Sequence, residues 1–368
     1  MLDTSPNCVW LLRHGLSTFN AEKRCQGGSD GAELTDEGRR SARLTGEILR
    51  PLKFDLVLTS PLARARETAM QVLGGWSGSS RRVIPTRIDP RLQEVRLYTW
   101  EGALFDSIRA NFPKDFDDWQ SRPHRFRLRS ESGDVRFPVL DLFGQARSFW
   151  SEFLAARPGK RVLIVTHGGT ARALILTLLG LSPKGFQSIQ QSNLGLTILR
   201  LPDAPAAPGS VELLNSTSHL TGKPPKLKAG RRGLRLVLQV GATDKSGEIV
   251  VCRLQEPVKL DGALGGNGYG HFACGVEEAI PRLSSMVRRG EDSGLESIYV
   301  KASRQAIENV LRHMPGFDFR LARRLRLRAG AFTVVHFPGK HLLPVLQGLN
   351  LPEHGSSADA YLAPVRPI

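Results

Sequence analysis

Two histidines, two arginines and a glutamate stand where an α/β protein could gather them to move a phosphoryl group. Arg13-His14-Gly15 ends a short apolar run, Cys8 to Arg13, and Thr166-His167-Gly168-Gly169 ends another, Arg161 to Thr166. Open α/β sheets bind ligands at the carboxyl ends of their strands, and both histidines sit at such an end, each followed by glycine. The glycine pair after His167 lets backbone N–H groups approach an anion at a helix N-terminus. Arg64, in SPLARA directly after FDLVLT, belongs to the same edge, and its guanidinium fork matches phosphate oxygens bidentately. Glu94, in Arg91-Leu92-Gln93-Glu94, offers a carboxyl that can protonate a leaving group and later deprotonate water. Singly, each residue is more often structural. Their joint placement makes the combination persuasive. An imidazole nitrogen is nucleophilic only when neutral, with its tautomer fixed through its other nitrogen, and the Gly15 carbonyl is the expected acceptor. Two arginines and a second histidine would spread the charge of the transferring group. No carboxylate cluster calls for a metal, and no cofactor is implied.

The elements that must position these residues alternate. Cys8–Arg13, Phe54–Thr59, Arg161–Thr166 and Leu194–Leu201 read as strands. Thr35 to Leu49 reads as an amphipathic helix with Thr35 as N-cap and Leu44, Ile48 and Leu49 on its apolar face. Helices are also expected from Pro61 through Thr68 and from Ala171 to Leu179. Strands alternating with helices predict a three-layer α/β/α unit with a mostly parallel sheet. A Pro/Gly/Lys-rich stretch then breaks the pattern. The expected division is a catalytic domain over 1–222, a linker over 223–232, and a smaller α/β domain over 233–368.

Composition sets the outer limits. The chain has 368 residues, enough for two domains, with 40% hydrophobic and 23% charged residues, as in ordinary globular proteins. No apolar run is long enough to span a bilayer, and neither a secretory signal nor a transit peptide is read at the start, so a cytoplasmic protein is expected. Cys8, Cys25, Cys252 and Cys274 form no C-x-x-C pair and are expected as free thiols. A net charge of +16 and a pI near 10.3 suit attraction of anionic substrates. The cluster Arg320, Arg323, Arg324, Arg326 and Arg328 reads as a solvated face, since no nucleic-acid-binding pattern accompanies it. The glycine-rich loop Gly262 to Gly270 lacks the P-loop signature.

Beyond these readings, the sequence resembles the histidine phosphatase superfamily, the branch 1 or phosphoglycerate mutase-like histidine phosphatases. LLRHGLSTFN is similar to the family's R-H-G-x-[ST]-x-x-N opening, and the likeness continues through CQGGSDGAELTDEGRRSA, SPLARARETA, RLQEVRLYTWEG and VTHGGTARAL. The resemblance covers roughly residues 8 to 220. It implies that His14 is the phosphorylated nucleophile, that Arg13, Arg64 and His167 hold the phosphoryl oxygens with Asn20 assisting, and that Glu94 is the acid/base. Gln26, Gly27 and Gly168 would lie on the substrate side. Leu16 departs from the usual Glu or Gln, and Tyr98 stands where the family often has Gly. FDDWQSRPHRF and GFQSIQQSNLGLTIL resemble a plant and cyanobacterial subgroup that includes 2-carboxyarabinitol-1-phosphate phosphatase, which implies a sugar-phosphate monoester.

Residues from about 230 resemble a decayed second copy of the same unit. LVLQVGAT set against WLLRHGLS puts Gln239 at the Arg13 place and Val240 at the His14 place, and SIYVKASRQ puts Ala302 at the His167 place. The expected role there is packing, dimerisation or regulation, with His271, His313, His336, His341 and His354 structural or exposed. Hydrolysis of a small phosphorylated metabolite leads the functional reading. A phosphoglycerate mutase is the alternative enzyme, and a non-catalytic phospho-ligand sensor or scaffold the alternative of another class. No nucleic-acid or membrane partner is expected, and a homodimer is an open possibility.

Overall fold

The computed structural model describes residues 7–74, 84–156, 161–204, 207–221, 225–227, 230–241, 248–254, 272–290, 294–339 and 342–352. The glycine-rich loop at 262–270, His271, His341 and His354 lie outside these residues, as do parts of the expected linker. The described residues form two compact units, one built from residues up to Gln187 with Gln191–Gly209, the other from Ser188–Gln190 and the residues from Ser210 onward. This division falls ahead of the expected linker at 223–232. Strand Ser210–Ser216 is the reason, because it pairs with Val345–Leu351 of the second unit.

The first unit is the expected three-layer α/β/α sandwich. Its sheet runs, in spatial order, Leu196–Arg200, Cys8–Arg13, Arg161–Thr166, Leu56–Thr59 and Thr86–Ile88. Every pairing is parallel except that of Cys8–Arg13 with Leu196–Arg200. All six residues of Cys8–Arg13 are buried, the mark of a strand covered on both faces. Trp10, fully buried, meets Phe54 edge-on at 5.3 Å. Helix Asp36–Leu49 packs with Ala63–Gly74, and Pro138–Ala156 packs with Gly168–Leu178. Thr35 caps the first of these, its hydroxyl accepting from the Gly38 N–H at 3.0 Å. Leu44, expected on the apolar face, is exposed instead, and Ala42, Thr45, Gly46 and Leu49 are buried. The helix presents its small residues inward because its neighbour lies close: a Cβ on Gly46 would stand 2.2 Å from the Val72 carbonyl oxygen.

In the second unit the strands run Phe272–Gly275, Glu248–Leu254, Glu296–Ala302, Leu234–Val240, Phe332–Phe337, Val345–Leu351 and Ser210–Ser216. Leu234–Val240 and Glu296–Ala302 are parallel, Phe332–Phe337 is antiparallel to the former, and helix Arg304–His313 follows the latter. The first unit has the same local arrangement in Cys8–Arg13, Arg161–Thr166, Leu196–Arg200 and helix Gly168–Leu178. Hydrogen bonding sets the correspondence one residue from the expected alignment. The His14 N–H donates to Thr166 O, and the Gly241 N–H donates to Ala302 O. His167 and Ser303 then occupy the N-cap positions of the following helices. Val240, Gly241 and Ser303, rather than Gln239, Val240 and Ala302, therefore stand at the places of Arg13, His14 and His167. His336 is buried, its Nε2 2.8 Å from the Arg232 carbonyl, while His313 is on a helix end with Nδ1 on Asn309 O. In the basic cluster, Arg320 pairs with Asp318 and Arg328 with Glu212.

The turn after Arg13 is pinned by the start of helix Asp36–Leu49. Leu16 O accepts from the Thr35 N–H at 2.9 Å and from the Thr35 hydroxyl at 3.2 Å. Gly38 lies against the Leu16 backbone so closely that an added Cβ would sit 2.2 Å from its carbonyl oxygen. Gly38→Ala should therefore destabilise the protein by about 1–3 kcal/mol, as overpacking does, and displace the His14 turn. Urea unfolding read beside activity checks this; an unchanged midpoint would show that the turn yields without cost.

Candidate active site

Burial and register bring the two strand-end imidazoles together. Cys8–Arg13 and Arg161–Thr166 are parallel neighbours with Arg13 opposite Thr166, so the residues that follow emerge side by side. The rings of His14 and His167 lie 5.2 Å apart at 57°, and both residues are buried. The Nδ1 of His14 is 2.8 Å from the Gly15 carbonyl oxygen, as expected. A carbonyl only accepts, so Nδ1 carries the hydrogen and Nε2 keeps its lone pair in the neutral ring. The Gly15 N–H in turn donates to the Thr68 hydroxyl at 3.0 Å, fixing the peptide that orients the ring.

The two guanidinium groups are held by backbone carbonyls. Arg13 donates through Nη1 to Gln191 O at 2.8 Å and through Nη2 to the Asn20 side chain at 3.4 Å. Arg64, fully buried, donates to Ser29 O at 2.7 Å and Gly27 O at 2.9 Å. Burial lowers both pKa values, Arg13 to about 10, while Glu94 opposes the shift in each. A guanidinium is the one side-chain cation that proteins do not deprotonate near neutrality. The Nε atoms of Arg13 and Arg64 and the Nδ1 of His167 are buried with no hydrogen-bond partner among the described residues. Buried polar atoms rarely stay unpaired, and three of those found among the described residues fall on candidate phosphoryl-holding residues.

Glu94 sits at the start of helix Gly168–Leu178. Its carboxylate accepts from the N–H groups of Gly169 at 2.9 Å, Thr170 at 3.0 Å and Val95 at 2.9 Å. A Cβ on Gly169 would stand 2.5 Å from the same carboxylate, which is why the second glycine after His167 is needed. Gly168 opens this helix, and a Cβ there would lie 3.4 Å from Arg13 Nε. Gln26 accepts from the Ser17 hydroxyl at 3.0 Å, and Gly27 enters through the carbonyl that receives Arg64. Arg13, His14, Asn20 and Gln26 are linked through Asn193 and Ser17, and Arg64 is linked to Gly27, while Glu94 joins the start of the helix after His167.

Three contributors went unseen in the sequence reading. Ser60 lies 2.7 Å from His167 Nε2 through its hydroxyl. Asn193 donates to the carbonyls of His14 and Gly15 and to Asn20, at 3.1, 3.0 and 2.8 Å. Arg172, one turn into the helix after His167, donates through Nε to Gly168 O at 3.2 Å. Ser60 and Arg172 were inside quoted motifs, SPLARARETA and VTHGGTARAL, but their types alone gave no role. Among the described residues no group of histidines, cysteines or carboxylates is placed to hold a metal ion.

Comparison with known proteins agrees with this geometry. The model of the histidine phosphatase superfamily, branch 1, matches residues 9–208. The 2-carboxy-D-arabinitol-1-phosphatase of Triticum aestivum is 33% identical over 265 residues, 71% of this chain and 48% of that protein. A probable 2-carboxy-D-arabinitol-1-phosphatase of Arabidopsis thaliana is 37% identical over 191 residues, 52% of this chain and 37% of its own. The chain therefore spans about half or less of the length of these two curated relatives. The solved structure of mycobacterial hydrolase 1 is 25% identical with a TM-score of 0.50, covering 57% of this chain and 99% of its own.

His167 is held neutral: burial first, then the charges of Arg64, His14 and Arg13, push its pKa well below the usual value. An unfolded histidine takes up a proton as pH falls through about 6.5, and the folded one does not. The unfolded state then binds more protons, so stability is full above that pH and falls on acidification. His167→Gln, which keeps a polar group beside Ser60 but does not titrate, should flatten the fall in Tm between about pH 7 and pH 5. Thermal scans of both proteins across that range check this, and parallel curves would contradict a neutral His167.

Proposed function

The chain belongs to the histidine phosphatase superfamily, branch 1, and from that membership we propose that it hydrolyses a small phosphomonoester through a phosphohistidine on His14. The observation that carries the reading is the fixed tautomer of His14 beside a second buried imidazole and two buried guanidinium groups. In the first step His14 Nε2 attacks phosphorus and the bond from phosphorus to the ester oxygen breaks. Glu94, protonated in the Michaelis complex, passes its proton to that oxygen, and the alcohol departs. In the second step water attacks phosphorus, Glu94 takes the water's proton, and the P–N bond breaks to release inorganic phosphate and regenerate the neutral ring. Arg13, Arg64 and His167, with Asn20 assisting, hold the nonbridging oxygens, where charge is spread during both transfers. Gln26, Gly27 and Gly168 border the substrate.

The substrate class we favour is a sugar phosphate such as 2-carboxyarabinitol 1-phosphate. Two observations support it: the names of the wheat and Arabidopsis relatives, and the extent of the wheat match, whose 265 residues exceed the length of the first unit. The reaction needs no metal, and we place it in the cytoplasm. Among the described residues no helix is long and apolar enough to cross a membrane, and none of the four cysteines forms a disulfide. We assign the second unit a non-catalytic role in packing or assembly, because Val240, Gly241 and Ser303 offer neither the nucleophile nor the cations.

His14→Ala should lower turnover of p-nitrophenyl phosphate by about a thousandfold or more, and acid-labile label from a 32P substrate should appear on His14 in quenched reactions of the unsubstituted protein. Phosphate release that persists in His14→Ala overturns the assignment. Vanadate should inhibit and EDTA leave the rate unchanged; loss of activity on chelation would reveal a metal requirement. In a screen of phosphorylated sugars, sugar acids and amino acids ranked by kcat/KM, the sugar-acid phosphates should lead, and a leading phosphoamino acid would displace the substrate assignment.

A further inference from the structure

Arg172 and Gln187 are not used by the chemistry above, yet both are tied to it. The Arg172 guanidinium donates through Nε to Gly168 O at 3.2 Å and through Nη1 to the Gln187 side-chain oxygen at 2.6 Å. It also lies over the Phe186 ring, 4.8 Å from its centre. Gln187 spends its amide on Trp119 O at 2.9 Å, in helix Pro113–Ser121. Trp119 packs edge-on against Phe186 at 5.5 Å and Phe126 at 5.2 Å, and Phe126 packs on Trp100 at 4.9 Å. An uninterrupted chain of contacts thus runs from the residue after His167 to an aromatic cluster formed by the segment 100–126.

The same segment reaches the other side of the site. The Cys25 N–H donates to Ala103 O at 2.9 Å, and the Gly102 N–H donates to Cys25 O at 2.8 Å. The Glu101 carboxylate accepts from the Gly28 N–H at 2.9 Å. These contacts adjoin Gln26 and Gly27, and Gly27 O holds Arg64. The aromatic segment is therefore fastened to both walls of the phosphoryl cradle, to the Arg64 wall by its own backbone and to the His167 wall through Arg172 and Gln187.

We propose that Arg172 and Gln187 are positioning residues that couple an anion in the phosphoryl cradle to the order of helix Pro113–Ser121, and through it to selectivity for the non-reacting part of the substrate. The proposal rests on the phosphatase reading for what the cradle binds. Arg172 suits the task because it lies within electrostatic reach of Arg13 and Glu94, each acting on or felt by its charge. An arriving phosphoryl dianion draws on the same cations, and the guanidinium that answers it is bonded to Gln187. A lysine could supply the charge but not the two-ended fork.

The test uses the full-length protein with inorganic phosphate as ligand, read by hydrogen–deuterium exchange and by calorimetric binding. Phosphate should slow amide exchange in 113–121 in the unsubstituted protein. In Gln187→Leu it should still bind, with Kd changed less than about threefold, yet give no slowing there. Arg172→Lys, whatever its own phosphate affinity, should likewise give no slowing there at saturating phosphate, and serves if Gln187→Leu fails to fold. In turnover, either variant should lose about tenfold of its preference for 2-carboxyarabinitol 1-phosphate over phenyl phosphate, mainly through KM, since only the former presents polar groups beyond the ester. Slowing of 113–121 that survives in both variants overturns the coupling, as does an equal loss on both substrates. Phosphate binding without any slowing in the unsubstituted protein sinks the coupling alone, whereas no phosphate binding at all sinks the phosphatase reading and the coupling with it.

Discussion

The site depends on burying guanidinium groups beside two imidazoles with few carboxylates at hand. Taking a cation out of water costs several kcal/mol unless its N–H groups find acceptors. Here the acceptors are mostly main-chain oxygens: Gln191 O for Arg13, Gly27 O and Ser29 O for Arg64, Gly168 O for Arg172. Carbonyl dipoles satisfy donors without neutralising the charge, so the cations keep an electrostatic demand that an incoming phosphoryl group can meet. Carboxylate partners in their place would have quenched that demand. Glu94 alone acts on all three, and it is held back by the N–H groups of a helix.

The rest of the first unit follows from delivering those carbonyls. Two parallel strands must end in register so that His14 and His167 emerge together, and their near-complete burial requires helices on both faces. The loop that carries Gly27 and Ser29 must fold over Arg64, and the Asp30 side chain anchors it by accepting the Ala63 N–H at 2.6 Å. The segment 191–195 must return beside the His14 turn, where Asn193 bonds both of its carbonyls and the Leu194 N–H reaches Arg13 O at 3.1 Å.

His14, His167 and Arg64 were legible because their signal is local: an apolar run, its end, and a glycine or a helix start within a few residues. Ser60, Thr68 and Asn193 were not, because each acquires its role from a partner 53 to 179 positions away, and nothing in their own neighbourhood announces it. Arg172 was hidden differently: it lies inside the motif VTHGGTARAL, where the histidine carried the signal and the arginine's type alone gave no role. Leu44 misled because hydrophobic periodicity weighs large residues, whereas a close helix pair selects small ones. In the second unit the stretches that became Leu234–Val240 and Glu296–Ala302 were set against strands of the first, but the correspondence slipped by one residue. Short apolar runs align almost equally well at neighbouring offsets, and only the hydrogen bonds to Thr166 and Ala302 decide between them.

The helix after each unit's second parallel strand begins in contrasting ways. Ser303 accepts the Ala306 N–H with its own hydroxyl at 3.3 Å, the ordinary way to close a helix end. His167 makes no such bond, and the duty passes to Glu94, which takes the N–H groups of Gly169 and Thr170 from outside the helix. A carboxylate borrowed for this purpose ties the helix to a segment 75 and 76 positions earlier, so that displacing Glu94 would release two of the helix's first N–H groups at once, while the Ser303 cap answers only for its own helix.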